Sequence, residues 1–328
     1  MMPDVLCLRP QIDFTRVGVA PPESLQVTYM APTDAAMPAA VKAAEALVIP
    51  AVGPKLPSEL FQDSVIRLVQ VTGAGVDRVD ARRLKDLGIP VANVPGGSNE
   101  AVAEYAVSCA SVLLRRFPQS SAAIRKGEYS AIRSRLLSEN IGGLDGLLVG
   151  IVGMGVIGTA VARRFKQVGG RIAFYDPAAV DAALVSELEA EDLGLDDLLS
   201  RADVVSLHVP LLAATENLID SARLAAMRPG AILIQASRGG VVDEAALAAA
   251  LESGRIGGAA VDVYSSEPPA KDNPLLTLSD AAAERMILTP HIAGVTRQSW
   301  KFLFRSAWEN VARVLIDNQP PRHVVHES

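Results

Sequence analysis

The sequence predicts an α/β protein with two domains, each built on a doubly wound, mostly parallel sheet. Short β-rich runs alternate with helical patterns along most of the chain, which is typical of parallel strands joined by crossover helices. The length of 328 residues suits about two domains. In the second half, a glycine-rich turn from Gly153 to Gly158 joins an apolar strand to a helical pattern.

The first domain is expected to be discontinuous in sequence. Its predicted strands are residues 5–8, 25–29, 47–49, 65–71 and 91–94, and its predicted helices are residues 39–46 and 80–87. A last helical pattern, residues 296–316, follows the second series of strands, so we expect it to return to the first domain. The predicted division is residues 1–98 plus 297–328 for the first domain and 99–296 for the second.

The second domain is expected to begin with a long alanine-rich helix, residues 99–117, that Pro118 ends. Residues 119–144 are polar and lack a core periodicity, so they could form a loop or an arm that packs on a second subunit. Six strands are predicted at residues 147–152, 171–175, 204–207, 231–235, 259–263 and 286–288, with helices such as 157–168 and 243–253 between them. This pattern matches a Rossmann-like or flavodoxin-like fold, and two such domains would leave an interdomain cleft.

Composition argues against several classes of partner. The net charge of -6 disfavours nucleic acid and anionic membrane surfaces. The uncharged run 146–162 contains five glycines and is shorter than the roughly 20 apolar residues of a membrane span, so it indicates a buried strand that turns into a helix. Cys7 and Cys109 lack the spacing of a disulfide framework or a metal site, and we expect no metal. Together with an N-terminus that lacks a signal-peptide pattern, they favour a cytoplasmic protein.

The glycine-rich turn has the context of a dinucleotide site. Gly153 suits the tight turn, Gly155 the close approach of the backbone to a pyrophosphate, and Gly158 the contact of helix with strand. The N-terminus of the following helix would favour the phosphate anion. Asp176 closes the next predicted strand, where a carboxylate can accept hydrogen bonds from ribose hydroxyls and would repel the extra phosphate of NADP. NAD is therefore the predicted cofactor.

Three further segments carry the residue types that a ketone reduction needs. They contain Arg238, Glu267 and His291, each after a predicted strand. An imidazole suits the proton donor, a carboxylate can orient it and stabilise imidazolium, and a guanidinium matches a carboxylate while polarising a keto oxygen. Taken singly, each has an ordinary alternative as a turn arginine, a loop acid or a packed histidine.

The other histidines fit lesser roles. His208 is interpreted as a cofactor-pocket or structural residue rather than a second base. His323 and His326 lie in the tail and are expected to be solvated.

These segments, in this order after the glycine motif, resemble the D-isomer-specific 2-hydroxyacid dehydrogenase family. The resemblance covers nearly the whole chain and is strongest from Val149 to Gly294. It implies that Arg238, Glu267 and His291 move a hydride between nicotinamide and C2 of a small 2-keto or 2-hydroxy acid. The first domain would then be the substrate domain and the second the NAD-binding domain. Substrate contacts are expected from Arg238, His291 and a loop of the first domain containing Ala74, Gly75 and Val76.

The resemblance also implies cofactor contacts and an assembly. A homodimer is expected, with residues 119–144 as the plausible arm. The expected cofactor contacts are Gly153, Gly155, Val156, Ile157, Gly158, Asp176, His208, Pro210, Ala236, Ser237, Arg238, Asp262, His291 and Gly294.

Related activities stay open at this point. Formate dehydrogenases share the scaffold but carry Gln where this chain has Glu267. Phosphite dehydrogenases and NAD-sensing corepressors keep the complete triad, so residue types alone do not separate them. The chain resembles glyoxylate/hydroxypyruvate reductases and the catalytic part of phosphoglycerate dehydrogenases alike, and we expect no regulatory domain after its last helix.

Overall fold

The computed structural model describes residues 2–325, so His326 lies outside the described residues. The chain forms two compact units. One contains the residues up to Ser98 and from Val295 onward, and the other is Asn99–Gly294. Four clusters of buried apolar side chains form the cores, and each cluster lies within a single unit.

The first unit starts with five parallel strands. They are β1 (Asp4–Cys7), β2 (Gln26–Tyr29), β3 (Ala46–Ile49), β4 (Leu68–Val71) and β5 (Val91–Ala92), with helices α1 (Gln11–Arg16), α2 (Met37–Ala43) and α3 (Ala81–Asp86). Their spatial order is β2-β1-β3-β4-β5, which is the flavodoxin-like order. Every residue of β3 and β4 is buried, as expected of parallel strands covered on both faces.

The second unit holds a seven-stranded parallel sheet. Its strands are β6 (Leu148–Val152), β7 (Arg171–Tyr175), β8 (Glu191–Asp192), β9 (Val204–Leu207), β10 (Ile232–Gln235), β11 (Gly258–Val261) and β12 (Met286–Leu288). The order β8-β7-β6-β9-β10-β11-β12 is the Rossmann order with one further strand. Both predicted sheet types are therefore confirmed.

The helices of the second unit surround this sheet. They are α4 (Asn99–Leu114), α5 (Phe117–Arg125), α6 (Tyr129–Ser138), α7 (Val156–Gln167), α8 (Ala182–Leu188), α9 (Leu195–Arg201), α10 (Ser221–Ala226), α11 (Glu244–Glu252) and α12 (Asp280–Ala283). Within the described residues there are also two 3-10 helices, Ser58–Phe61 in the first unit and Pro274–Leu276 in the second.

The chain then returns to the first unit with α13 (Arg297–Leu315) and β13 (Val324–Val325). A capping box between Thr296 and Ser299 starts the helix. Its apolar face, which includes Phe304 and Trp308, joins the same core as β1, β3 and β4. β13 pairs antiparallel with β5 and forms an edge strand of the sheet, which the sequence did not reveal.

Several predicted boundaries are wrong. The first long helix, α4, ends at Leu114, because Arg116 takes a left-handed conformation with φ 53° and Pro118 starts the next helix instead of ending one. Residues 119–144, for which a loop or an arm was expected, hold most of α5 and all of α6, so the loop alternative is wrong. The helix predicted at 39–46 ends at Ala43. The prediction of six strands in the second domain missed β8, a two-residue polar strand at the sheet edge.

Two searches of the described residues give simple results. No helix within residues 2–325 is long and apolar enough to cross a membrane. In the same part of the chain, no group of three or more His, Cys, Asp or Glu side chains is arranged to hold a metal ion.

Candidate active site

The last residues of six strands of the second unit are paired with one another in a row across the sheet. Across the sheet from β7 to β12 the row is Tyr175, Val152, Leu207, Gln235, Val261 and Leu288. Because all six strands are parallel, the chain leaves the sheet at the same edge after each of these residues, which is where such sheets bind ligands. The structure thereby brings together Gly153, Asp176, His208, Ala236, Ser237, Arg238, Asp262 and His291, which follow directly or closely after the row.

The glycine turn fits a dinucleotide. A Cβ on Gly158 would lie 1.9 Å from the carbonyl oxygen of Gly153, so only glycine allows this packing of helix on turn. A Cβ on Gly155 would meet nothing within 4 Å, and Val156 beside it is 66% exposed, so the turn is open in front of the N-terminus of α7. An open backbone turn at a helix N-terminus is the cradle that a pyrophosphate needs.

Asp176 stands beside this turn. One carboxylate oxygen accepts from the N–H of Met154 at 2.7 Å, and the other accepts from the N–H of Ala178 at 2.8 Å. Each oxygen has a second lone pair, so the carboxylate can still accept from ribose hydroxyls. Asp176 therefore also supports the glycine turn, a role that the sequence did not show.

His208 is held neutral. Its Nε2 lies 2.8 Å from Ser206 Oγ, while its Nδ1 is buried and has no hydrogen-bond partner among residues 2–325. Burial lowers the pKa of the ring to about 3. A ring that is neutral at physiological pH cannot act as the proton donor, so His208 is a packing or cofactor-pocket residue.

Arg238 is positioned by its own turn. The buried Gln235 side chain donates to the carbonyl of Arg238 at 2.9 Å and accepts from Ser237 Oγ at 2.8 Å. Arg238 Nη1 donates to the carbonyl of Ser237 at 2.8 Å. A Cβ on Gly239 would lie 1.8 Å from the carbonyl oxygen of Tyr264, so the glycine lets the arginine turn approach the segment that leads to Glu267.

Glu267 and His291 form a hydrogen-bonded pair. Glu267 Oε2 lies 2.8 Å from His291 Nδ1, and the two side chains are 26% and 28% exposed. Burial, the largest single influence, opposes ionisation of Glu267. The hydrogen bond and charge of His291, the N–H of Tyr264 and the charge of Arg238 outweigh it, so the pKa of this carboxyl is lowered. Glu267 is therefore an anion at neutral pH and can stabilise an imidazolium.

Asp262 was predicted as a cofactor contact, and the structure gives it a supporting role. It is 1% exposed, and its two carboxylate oxygens accept from the N–H groups of Ile292 and Ala293, each at 2.8 Å. Its main-chain carbonyl accepts from the N–H of His291 at 2.8 Å. Asp262 thus holds the segment that presents His291.

The remaining predicted residues lie on loops or, for Ile157, at the start of a helix. Ile157 is in the first turn of α7, Pro210 is exposed shortly after β9, and Gly294 ends the second unit. Ala74, Gly75 and Val76 belong to the first unit, on the half-buried loop after β4, where Asn93 Nδ2 donates to the carbonyl of Ala74 at 2.6 Å. The predicted tail residue His323 is exposed.

Sequence reasoning missed several residues that support the site. Gln235 is a polar residue at the end of an apolar strand, and that contrast was the available signal. Glu244 accepts from the N–H of Ser265 and from Asn273 Nδ2, both at 2.6 Å, and so fixes the loop that carries Glu267. No local pattern marks Glu244, because its partners are distant in the chain.

The chain is similar to known proteins over most of its length. Residues 107–293 match the family model described as D-isomer specific 2-hydroxyacid dehydrogenase, NAD binding domain. D-3-phosphoglycerate dehydrogenase of Archaeoglobus fulgidus is 35% identical over 75% of this chain and 45% of that protein. Glyoxylate reductase of Korarchaeum cryptofilum is 36% identical over 88% of this chain and 84% of that protein. The crystal structure of apo D-mandelate dehydrogenase of Rhodotorula graminis has a TM-score of 0.81 and 26% identity, and covers 99% of this chain and 98% of that one.

These likenesses define the family and its cofactor. The chain spans about half the length of the phosphoglycerate dehydrogenases it matches, but most of the glyoxylate reductase. The matched model covers more than half of the chain and lies inside the second unit, so the prediction of NAD as cofactor is confirmed together with that of an oxidoreductase family. The chain therefore belongs to the D-isomer-specific 2-hydroxyacid dehydrogenase family.

Proposed function

We propose that this protein reduces a small 2-keto acid to the D-2-hydroxy acid with NADH, and catalyses the reverse oxidation with NAD. The observation that carries the proposal is the 2.8 Å contact of His291 Nδ1 with Glu267 Oε2, at the sheet edge that also holds Arg238 and the glycine turn. Such a site combines a proton donor, an anion that orients it and a guanidinium that can bind a carboxylate through two hydrogen bonds.

The chain's own groups divide the work as follows. Bound NADH supplies the hydride. The backbone of Gly153, Gly155 and Gly158 would hold the pyrophosphate of the cofactor, and Asp176 would accept hydrogen bonds from its ribose hydroxyls. Arg238 binds the substrate carboxylate and polarises the keto oxygen. The family resemblance implies a further role for the backbone N–H groups of Ala74, Gly75 and Val76, which would donate to the substrate carboxylate.

Proton transfer falls to His291. With Nδ1–H donated to Glu267, the opposite nitrogen, Nε2, gives its proton to the substrate oxygen as C2 accepts the hydride, and the ring becomes neutral. In the oxidation, the neutral ring takes the hydroxyl proton and Glu267 stabilises the imidazolium that forms.

The catalytic assignment is tested with NADH oxidation over a panel of glyoxylate, hydroxypyruvate, pyruvate and bulkier 2-keto acids. We expect turnover of at least one of the small acids. His291→Ala should lower kcat by about 10²- to 10⁴-fold and leave NADH binding nearly unchanged. NADH binding without turnover of any acid in the panel would refute the proposal and favour an NAD-sensing binding protein.

Cofactor choice is tested on the same substrate. Because Asp176 would repel the 2′-phosphate, we expect kcat/KM to be higher with NADH than with NADPH. A clear preference for NADPH would contradict the role given to Asp176.

We also propose that two copies associate through α5 and α6. These helices line an apolar groove of about 320 Å³ that includes Ile124, Ile132 and Leu136, while Tyr129 and Leu137 are 63% and 64% exposed. A second copy that covers this surface would remove it from water.

A cytoplasmic location is consistent with the buried free thiols of Cys7 and Cys109, and fractionation of cells that express the protein tests it.

A further inference from the structure

A chain of hydrogen bonds runs from helix α4 to the segment that presents His291. Tyr105 Oη on α4 lies 2.7 Å from Thr289 Oγ1, and Thr289 Oγ1 donates to Asp262 Oδ1 at 2.6 Å. Asp262 in turn accepts from the N–H groups of Ile292 and Ala293. All of these residues belong to the second unit.

The direction of donation in this chain is determined. A buried carboxylate only accepts, so the Thr289 hydroxyl must give its single proton to Asp262. The Tyr105 hydroxyl is then the donor to Thr289. Burial raises the pKa of Tyr105, so its hydroxyl is protonated and can donate at neutral pH. Because the Thr289 proton goes to Asp262, the Thr289 oxygen is available to accept from Tyr105.

The segment that the network holds is strained at His291. His291 has φ 55°, in the left-handed region that residues with a Cβ rarely occupy. Such a conformation persists only where the surrounding structure determines it. The residues on both sides of His291 are anchored. Before it, the Thr289 side chain donates to Asp262, and the Thr289 carbonyl accepts from Tyr264 Oη at 3.0 Å. After it, the N–H groups of Ile292 and Ala293 donate to Asp262.

We propose that Tyr105 and Thr289 are positioning residues that hold His291 in line with Glu267 by way of Asp262. Thr289 precedes His291 by two residues, whereas Tyr105 lies on a different element, 184 residues from Thr289 in the chain. The inference rests on the proposed function for its catalytic consequence, and on the hydrogen bonds alone for its effect on the His291 ring.

Tyr105→Phe removes only the terminal donor. We expect kcat to fall by about two- to tenfold, the range for loss of one hydrogen bond, with the dissociation constant of NADH within twofold of wild type. Thr289→Val, which has nearly the same shape without the hydroxyl, should lower kcat more strongly. Thr289→Ser keeps a hydroxyl and should restore most of the activity that Thr289→Val loses.

A second readout does not depend on activity. The chain has four histidines, so ¹⁵N-resolved spectra of the imidazole rings are simple, and the His291→Ala spectrum assigns the His291 signals. We expect Tyr105→Phe to change the His291 ring shifts. The matched control is Tyr29→Phe in the first unit, because Tyr29 Oη is buried without a hydrogen-bond partner among residues 2–325.

The outcomes separate the two proposals. Changed His291 signals in a protein that turns over none of the acids would support the positioning role and refute the dehydrogenase activity. Unchanged His291 signals together with unchanged kcat in Tyr105→Phe would overturn the positioning role, whatever the substrate proves to be. Equal losses in Tyr29→Phe would also overturn it, since that variant breaks no hydrogen bond.

Discussion

Close backbone approach decides the geometry around Arg238. Gly239 packs against the main chain of Tyr264, and a Cβ there would lie 1.8 Å from the carbonyl oxygen and 2.1 Å from the carbonyl carbon. Backbone cannot yield as a flexible side chain can, so the arginine turn and the segment before Glu267 would have to separate. The small size of this residue therefore matters more than its conformational freedom.

Gly239→Ala should be severely impaired. We expect about 1–3 kcal/mol lower stability from overpacking and about 100-fold lower kcat/KM from displacement of Arg238. Thermal unfolding and steady-state kinetics measure the two effects. Gly142→Ala is the matched control, because a Cβ there would meet nothing within 4 Å. Near-normal kinetics of Gly239→Ala would show that the two segments can separate without cost.

His208 should make stability depend on pH below neutrality. Its pKa is lowered by burial from 6.5 to about 3, so between these values the unfolded chain binds a proton that the folded protein does not. Stability from this group is therefore complete above pH 6.5 and falls as pH decreases toward 3. At pH 5 the loss would be up to about 2 kcal/mol.

Replacement of the titrating ring tests this linkage. Denaturant unfolding of His208→Gln between pH 7 and 5 should show a smaller loss of free energy than wild type over the same range. The difference between the two proteins at pH 7 reports only packing and is subtracted. Parallel pH curves would mean that His208 is protonated in the folded state as readily as in the unfolded chain.

At the scale of elements, the helices α5 and α6 bury few of their side chains within their unit. Only Gln119 and Ala123 of α5 and Ile132 of α6 are buried. Several large apolar side chains of this region stay exposed, among them Phe117, Ile124, Tyr129 and Leu137. An amphipathic helix stable in water normally buries such side chains, so a second copy is the occupant we propose.

The arm is tested by charge substitution. In Ile124→Asp/Leu137→Asp, burying two carboxylates in the dimer interface would raise the dissociation constant of the dimer by at least about 100-fold. Light scattering across a dilution series measures this. Val65→Asp replaces a 57% exposed apolar residue of the first unit and should leave the dimer intact. An unchanged dimer in the double variant would place the interface elsewhere.

Element boundaries show where local sequence patterns stop being informative. The strands with continuous apolar runs, such as β6 and β9, lie where the pattern predicts them, because burial on both faces requires that pattern. β8 and β13 have two residues each, which is too short for a recognisable strand pattern, and each is defined by its pairing with a neighbouring strand.

The whole molecule divides into units with separate cores. The two core clusters of the second unit draw every buried residue from within Asn99–Gly294. The core of the first unit requires α13, which comes from the far end of the chain and packs on β1, β3 and β4. The second unit is therefore continuous and self-sufficient, whereas the N-terminal part of the first unit is not.

This division predicts different behaviour for two fragments. Residues 99–294 expressed alone should unfold cooperatively and bind NADH. They should not turn over 2-keto acids, because they lack Ala74, Gly75 and Val76, the residues that we propose contact the substrate. Residues 1–98 alone should lack cooperative unfolding, because the apolar surface that α13 covers would face water. Calorimetry and NADH fluorescence distinguish these outcomes. Loss of cooperative unfolding in fragment 99–294 would show that the second unit depends on the first.

The sequence by itself determined the fold class, the dinucleotide turn and the residue types of the site. These features are local, since Gly153, Gly155 and Gly158 act through the backbone next to them, and Asp176, Arg238 and His291 each follow a strand that its own composition identifies. Only the tertiary structure decided which groups hold them in place. The register of six parallel strands aligns the site residues at one edge. Gly239 meets Tyr264, and Asp262 reaches the N–H groups beside His291. Tyr105 meets Thr289 across 184 residues of chain, a contact that no local pattern can encode because it depends on how α4 packs beside β12.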